Sequence, residues 1–477
     1  MGDLGGHADG LAQGRVRVDG LADIQRVGAH LDGQGDLADH VAGTGADNAA
    51  ADDAVAADRR RAFAIAILLC GLTGGQGWAD PKAEIQLGPK VTTEHKVKSL
   101  VGPSVQIDDA GALSLAWMEE DKDVRAVLYA RSTEPGGPMG VPVRINRPED
   151  VPYWRQEAPA LVVQGNDVFV TWGLAHPKAT PQQPFATELR LSRSNDGGRT
   201  FQPSIVVNDD PGVIQHTFDA LHRDVEGRLH LSWIDGREGK KDPGTYVARS
   251  LDQGQSVTSN RKVDEGTCVC CRTAVTSGPD GTVYVAWRKI FEGNVRETVV
   301  ARSVDHGETF EAPVIVGHDK WVFPACPHRP ASMGVDRQGR VYVVWYTEGT
   351  DEIPAVYIAY SDDRGRTFSP KRQLNVSKNT FPDHPQIAVD PEGRVVVIWE
   401  EQGPVKRDVV MSVSTDRGLG FTAPYKLNER KSQTPVVAVN RQGVFAMAWM
   451  EHGMPGHKIV TQTLRLSPTS VAAEAAR

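Results

Sequence analysis

Side chains that could bind a metal ion or transfer a proton recur at one place in a repeating pattern. The pattern is marked by seven tryptophans spaced 50–61 residues apart: Trp117, Trp172, Trp233, Trp287, Trp345, Trp399 and Trp449. Shortly before six of them lie the candidate side chains: Gln156, Glu157, His216, Phe218, Asp219, Cys268, Cys270, Cys271, Arg272, Cys326, His328, Arg329, Asp383, His384 and Gln433. Because these positions are equivalent in successive units, we expect the side chains to gather around one axis.

The cysteines and histidines of this group suit a soft or borderline metal ion. Thiolate and imidazole ligands select ions such as copper or zinc. The predicted ligands are Cys268, Cys270, Cys271, Cys326 and His328, with His216 or His384 nearby. The Cys-x-Cys-Cys spacing is not that of a zinc ribbon, so the spacing alone does not name the metal.

The same cysteines have a structural alternative. Four cysteines follow residue 80, and in an oxidising compartment they permit two disulfides with three connectivities. A bridge from the Cys268–Cys271 segment to Cys326 would pin two neighbouring units together. Reactive thiol chemistry is a third interpretation of the same residues.

The elements that position these residues are short strands joined by turns. Each unit has a strand, a turn, a second strand that ends in the tryptophan, a loop, a third strand, an octapeptide turn and a fourth strand. The octapeptide reads SDDRGRTF at 361–368, SNDGGRTF at 194–201 and SVDHGETF at 303–310, with weaker copies at 250–257 and 414–421. Its Ser and Asp side chains can hydrogen-bond the backbone of the turn, and its Gly supplies a positive φ.

The octapeptide resembles the Asp box (BNR repeat) of the sialidase-like β-propellers, over residues 100–466. The resemblance and the repeats predict an all-β propeller of four-stranded blades, with seven blades or, alternatively, six and one inserted unit. Sialidases have six. We expect residues 94–100 to supply the strand that closes the ring, because closure removes exposed sheet edges.

Sialidase-like chemistry is a second interpretation of the candidate residues. The family has three arginines that clamp a substrate carboxylate, an acidic proton donor and a Tyr–Glu nucleophile pair. The resemblance makes Arg272 and Arg329 candidate clamps, and Asp219 or Glu157 the candidate acid. The F-R-I-P motif is missing, with only Val-Arg-Ile-Asn at 143–146, and no central tyrosine is identifiable. The alternative is that the arginines pair with acids on the same face.

The N-terminal residues predict export. Residues 59–79 contain three arginines, an apolar run and Gly-Trp-Ala before Asp80, which is the order of a secretory signal. Residues 1–58 have the composition of a disordered leader; alternatively the true start lies near Val55 and residues 1–54 are not translated. We expect a signal peptide at 59–79, one propeller domain at 80–466, a tail at 467–477, and a periplasmic or secreted location.

Charge narrows the functions further. Residues 1–58 hold 11 of the 61 acidic and three of the 53 basic side chains, which leaves 50 of each sign in the rest. A neutral domain with no transmembrane segment predicts no nucleic-acid partner, no membrane span and a monomer. Three functions remain: a propeller with a copper, zinc or redox cysteine site, a sialidase-like exo-glycosidase, or a scaffold that binds a glycan or protein.

Overall fold

The protein folds as a ring of seven antiparallel sheets, as the repeats predict. The computed structural model describes residues 83–122, 124–153, 158–239, 242–377, 379–452 and 456–468. In this part of the chain every sheet has four strands in sequence order, except for one extra strand in the fourth blade and a shared seventh blade. The prediction of seven four-stranded blades is therefore confirmed.

The first three blades follow the chain directly. Blade 1 contains β2 (Ser99–Ile107), β3 (Leu113–Asp121), β4 (Val124–Arg131) and β5 (Val143–Arg144). Blade 2 contains β6 (Ala160–Gln164), β7 (Asp167–Ala175), β8 (Thr187–Ser194) and β9 (Ile205–Val206). Blade 3 contains β10 (His216–Arg223), β11 (Leu229–Asp235), β12 (Gly244–Ser250) and β13 (Arg261–Asp264).

Blades 4 to 6 repeat this order. Blade 4 contains β14 (Ala274–Ser277), β15 (Val283–Phe291), β16 (Val295–Ser303), β17 (Val314–Ile315) and the extra strand β18 (Trp321–Val322), with a 3-10 turn at Glu292–Asn294. Blade 5 contains β19 (Ser332–Val335), β20 (Val341–Thr347), β21 (Ala355–Ser361) and β22 (Arg372–Gln373). Blade 6 contains β23 (Phe381–Val389), β24 (Val395–Gln402), β25 (Arg407–Ser414) and β26 (Tyr425–Lys426).

The ring closes by a strand exchange between the two ends of the domain. Blade 7 contains β27 (Ser432–Val439), β28 (Val444–His452) and β29 (His457–Pro468), and its outer strand is β1 (Ala83–His95). The predicted closing segment, residues 94–100, was therefore placed too late: only Glu94 and His95 of it pair with β29. The alternating apolar pattern of β1 is weak, so this strand was not recognised from the sequence.

The core lies between the blades. All seven repeat tryptophans are at most 1 % exposed, and each packs in a cluster that joins two adjacent blades. The second strands are buried along most of their length, as in β11, β20 and β24, because neighbouring blades cover both of their faces. Replacing one of these tryptophans by alanine is expected to cost about 3–5 kcal/mol of unfolding free energy.

The octapeptide turns join the third and fourth strands at one face of the ring. In all five copies the Ser hydroxyl donates to the Asp carboxylate at 2.6–2.8 Å and accepts the Gly N–H at 2.7–3.0 Å. Gly307 has φ +82°, and a Cβ there would press against the His230 ring. The two weaker copies therefore form the same turn as the three good ones.

The innermost strands begin at the opposite face, and several begin with a bulge. The pairing register shifts after Val101, Thr217, Asp383 and Gln433. The bulged residues Phe218, His384 and Thr434 have φ of 58°, 47° and 52°, a conformation that bulky residues rarely adopt. This irregular start turns candidate side chains toward one end of the ring, where function-bearing strain often lies.

No helix in the described part of the chain is long and apolar enough to cross a membrane. The predicted leader and signal peptide, and Glu157, lie outside the described residues. So does the predicted tail, apart from residues 467 and 468, which belong to β29.

Candidate functional site

Three cysteines come together at the start of blade 4. Cys268, Cys270 and Cys271 are each at most 4 % exposed and lie in the loop that leads into β14. The Sγ of Cys268 is 3.7 Å from that of Cys270 and 3.6 Å from that of Cys271, and all three sulfurs lie within 4.8 Å of one another. We call this set the cysteine cluster. Its sulfurs are too far apart for a disulfide and close enough to share one ion.

Hydrogen bonds fix the loop that carries the cysteine cluster. The N–H of Cys268 donates to the carbonyl of Arg288 at 2.8 Å, which ties the loop to β15. The side chain of Gln215, from the adjacent blade, donates to the carbonyl of Val269 at 3.1 Å. Thr245 and Thr267 share a buried hydroxyl contact at 2.8 Å. The sulfurs are thus held by backbone geometry from two blades.

Three apolar side chains form a cover over part of the cysteine cluster. Phe218, Val269 and Ile290 pack against the three cysteines. The Phe218 ring also lies near the His328 ring, with the two centroids 6.3 Å apart. Phe218 therefore stands between the cysteine cluster and the blade 5 turn that carries His328.

Two buried arginines lie beside the cysteine cluster. Arg288 and Arg296 are 3 % and 5 % exposed, and neither forms a salt bridge within the described part of the chain. Arg296 donates to the carbonyls of Phe323 and Ala325 at 3.0 and 3.1 Å. Nη2 of Arg288 donates to the Tyr346 carbonyl at 2.7 Å, whereas its Nε and Nη1 are buried without a partner. Buried charges are normally paired, so these two cations lack an anion.

The three thiols differ in how readily they lose a proton. Hydrogen bonds from the thiols of Cys270 and Cys271 lower the pKa of Cys268 to about 3; burial opposes this shift, and the charges of Arg296 and Arg288 add to it. The pKa of Cys270 is raised, first because it donates to Cys268. Burial raises the pKa of Cys271 to about 11. The cluster thus holds one thiolate supported by two thiol donors and two guanidinium groups.

Cys326 and His328 belong to a different turn, before β19. Cys326 is exposed, and all four cysteines of the described residues are free, so the disulfide alternative between Cys326 and the cysteine cluster is not what the structure contains. His328 is exposed at the ring centre with φ +53°. Enclosure by protein lowers the pKa of the His328 imidazole, despite the nearby Cys271. A neutral imidazole is the form that binds metals.

His216 lies in a separate cluster with two carboxylates. Its Nδ1 is 2.7 Å from the Thr187 carbonyl, and its Nε2 is 2.6 Å from Asp210 and 3.7 Å from Asp235. Both acceptors lack hydrogens, so both ring nitrogens must donate and His216 is an imidazolium. Burial opposes its charge, but the hydrogen bond to Asp210 and the charge of Asp235 raise its pKa. With no free lone pair, His216 fits an ion pair rather than the predicted metal ligand.

His384 is likewise held by carboxylates rather than by sulfur. Its Nδ1 lies 3.1 Å from Asp383 and 3.8 Å from Glu400. Burial opposes the charge, but Asp383 and Glu400 raise the pKa of His384 to about 9, although 37 % of its side chain is accessible at the ring centre. Burial raises the pKa of Glu400. Arg329 completes this group, with Nε 3.3 Å from Asp383.

The residues predicted for glycosidase chemistry are engaged with their own protein. Arg272 donates from Nη2 to the Ala158 carbonyl at 2.8 Å, and that nitrogen lies 3.8 Å from the Asp219 carboxylate. Asp219 is 2 % exposed and accepts a hydrogen bond from Thr171. Arg329 stacks on Tyr346 at 4.4 Å from the ring centroid. Each arginine thus has an acid of the same face beside it.

Sequence reasoning missed Arg288 and Arg296. The sequence contains a signal that could have identified Arg288. The residue after each repeat tryptophan is apolar, aromatic, glycine or acidic in six units, and arginine only after Trp287. Nothing comparable marks Arg296, which is followed in β16 by Glu297 and Thr298. Three acids that follow the repeat tryptophans accept a hydrogen bond from the indole N–H: Glu119 from Trp117, Asp235 from Trp233 and Glu401 from Trp399.

No protein-family model and no curated protein matches the chain. Solved structures with a similar fold include a protein of unknown function from Dyadobacter fermentans DSM 18053, 16 % identical, covering 80 % of this chain and 99 % of that one with a TM-score of 0.49. The polysaccharide lyase Uly1 is 14 % identical, covering 76 % and 90 % with a TM-score of 0.50. The Hadza microbial sialidase Hz136 is 15 % identical, covering 75 % and 74 % with a TM-score of 0.45.

At these identities the likeness concerns the fold alone. The chain is thus a seven-bladed β-propeller. What distinguishes its central face is the buried cysteine cluster of blade 4 and the two unpaired arginines beside it.

Proposed function

We propose that this propeller binds a thiophilic metal ion, copper or zinc, through the thiolates of Cys268, Cys270 and Cys271. The observation that carries the proposal is the spacing of the three sulfurs. Two sulfurs bound to one ion at about 2.3 Å in tetrahedral geometry are about 3.8 Å apart. The measured separations of 3.6 and 3.7 Å need little adjustment to reach that value.

The surroundings of the cysteine cluster support the same function. Three thiolates in an apolar site would be costly without compensating charge. Arg288 and Arg296 supply that charge and have no carboxylate partner in the described part of the chain. A purely structural trio of cysteines would gain nothing from two buried cations.

The predicted export gives a chemical reason for the cysteine cluster to bind a metal ion. In an oxidising compartment, neighbouring thiols are converted to disulfides unless they are protected. A bound ion would keep the three sulfurs of the cysteine cluster in the separated arrangement that the structure has. Cys326 and His328, on the adjacent turn and beyond Phe218, are proposed to meet an incoming ion rather than to hold it.

The test is metal binding by the reduced full chain in a Cys70→Ser background, with zinc and with copper(I) supplied as a chelator complex. We expect one equivalent bound, lost in Cys268→Ser and in Cys271→Ser, and retained in Cys326→Ser as the matched cysteine control. Circular dichroism and the melting temperature check that each variant folds. No binding by folded reduced protein, or equal binding by the Cys268→Ser and Cys271→Ser variants, would overturn the proposal.

A sialidase-like exo-glycosidase and a glycan- or protein-binding scaffold are the alternatives at the level of fold. No observation favours either, since Arg272 and Arg329 are occupied within the protein. Hydrolysis of a chromogenic sialoside, lost in Asp219→Asn, would favour the first.

A further inference from the structure

We infer that the cysteine cluster is built for a univalent thiophilic ion, copper(I), in preference to a divalent one. This inference rests on the proposed function and adds the charge of the ion. It is carried by the two buried arginines and by the number of sulfur ligands.

The first argument is a count of charges in a buried site. Three thiolates carry three negative charges, and Arg288 and Arg296 carry two positive ones. A univalent ion makes the group neutral, whereas a divalent ion leaves one uncompensated positive charge. Since an uncompensated charge is strongly disfavoured in a buried site, neutrality favours the univalent ion.

The two arginines are fixed and cannot leave the site easily. Arg288 lies over the Trp321 ring, with its guanidinium carbon 5.1 Å from the centroid, and donates to the Tyr346 carbonyl. Arg296 is fastened to the carbonyls of Phe323 and Ala325. Carbonyls orient a guanidinium group but do not neutralise it, so both charges remain available to the cysteine cluster.

Other charged groups near the cysteine cluster are already balanced. Lys289 is bound by Asp264, and Arg272 has Asp219 beside it. Arg329 and His384 share Asp383 and Glu400. Arg288 and Arg296 differ from these groups in forming no salt bridge within the described residues.

The second argument is the number of ligands. Structural zinc sites have four protein ligands, almost always in tetrahedral geometry. The group whose ligand atoms lie within 4.8 Å of one another contains three sulfurs in the described part of the chain. Phe218 and Ile290 cover the remaining side with carbon. Three soft thiolates suit copper(I), whereas a structural zinc ion would need a fourth ligand.

The test compares copper(I) and zinc affinities by chelator competition on the anaerobic, reduced full chain in the Cys70→Ser background. Arg288→Gln and Arg296→Gln each remove one positive charge, which makes a divalent ion the neutral choice. We expect each to shift the copper-to-zinc affinity ratio toward zinc by about tenfold or more. Arg302→Gln is the control, since Arg302 is buried on the same strand but paired with Glu311. It should leave the ratio within about twofold.

Arg296→Lys guards against a misfolded variant, because it keeps the charge and is expected to keep the wild-type ratio. A ratio unchanged in Arg288→Gln and Arg296→Gln, with metal still bound by the three cysteines, would overturn the charge inference and leave the proposed function standing. A wild-type protein that binds zinc more tightly than silver(I), the redox-inert probe for copper(I), would overturn it as well. Failure to bind either ion would instead contradict the proposed function.

Discussion

Two clusters of potential metal ligands lie on neighbouring blades and differ in the hydrogen bonds that their ligand atoms make within the protein. In the first, Asp210, His216 and Asp235 form a network in which both nitrogens of His216 donate hydrogen bonds. In the second, the three sulfurs of the cysteine cluster lie beside one another, and the charges of two arginines act on Cys268. The first is an internal ion pair; the second is a group of thiols with no carboxylate among its ligand atoms in the described part of the chain.

The comparison teaches that residue type alone does not identify a ligand. His216 and the cysteines occupy equivalent places before their tryptophans, and both sets bring ligand atoms within 4.8 Å. What separates them is whether a lone pair remains after the protein has made its own hydrogen bonds. The predictions below use one cluster as the control for the other.

Metal affinity is the property in which variants of the two clusters are expected to differ most. Cys268→Ser removes one of three sulfurs and should weaken binding of copper(I) or zinc by about 100-fold or more. His216→Asn removes no ligand and should leave affinity within about twofold. Chelator competition measures both, and a comparable loss in the two variants would abolish the distinction between the clusters.

The free energy of unfolding should fall more in His216→Asn than in Cys268→Ser, the reverse of the order expected for metal affinity. His216→Asn leaves Arg237 as the remaining cation beside Asp210 and the fully buried Asp235, and loss of the charged hydrogen bond to Asp210 should cost about 2 kcal/mol. Cys268→Ser in the metal-free protein replaces sulfur by a similar-sized hydroxyl and should cost less. Urea unfolding at pH 7 without metal gives both values. A smaller loss for His216→Asn than for Cys268→Ser would show that the blade 3 network is not the structural one.

The two clusters should also respond oppositely to pH. The folded pKa of His216 is raised above 6.5, so its contribution to stability is complete below pH 6.5 and is lost as pH rises through the folded pKa. Metal binding requires thiolates and strengthens over the same range. Melting temperatures of wild type and His216→Asn should therefore converge toward high pH, while metal affinity rises. Melting curves that diverge with rising pH would contradict the imidazolium assignment.

The smallest effect is expected at the turn face, remote from both clusters. Ser303→Ala removes the donor to Asp305 and the acceptor of the Gly307 N–H, which should cost about 1 kcal/mol. Metal affinity should not change. Urea unfolding and chelator competition on this variant test whether the turn is structural alone, and altered affinity would show that the two faces are coupled.

The fold could be predicted from the sequence because it is repeated. Seven tryptophans and five octapeptides gave seven blades, and each copy supported the others. The strand that closes the ring was misplaced because it occurs once and pairs with residues about 370 positions away, such as Val91 with Thr461. A pattern read along the chain contains no information about such a partner.

The candidate site was only partly predictable. The equivalence of positions in successive units identified Cys268, Cys270 and Cys271 as candidate ligands. The same equivalence also predicted His216 and His384, whose nitrogens lie beside carboxylates. The side of a bulged strand to which a side chain turns depends on a left-handed residue such as Phe218 or His384. Arg288 and Arg296 come from the second and third strands of blade 4, where a spacing rule based on first strands could not find them.

X-ray absorption at the metal edge tests the central claim most directly. The full chain in the Cys70→Ser background would be loaded with one equivalent of copper(I) under anaerobic conditions. The account predicts a first shell of three sulfurs at about 2.3 Å, lost in Cys268→Ser and unchanged in His216→Asn. A first shell of nitrogen or oxygen, or a sulfur shell that survives Cys268→Ser intact, would contradict it.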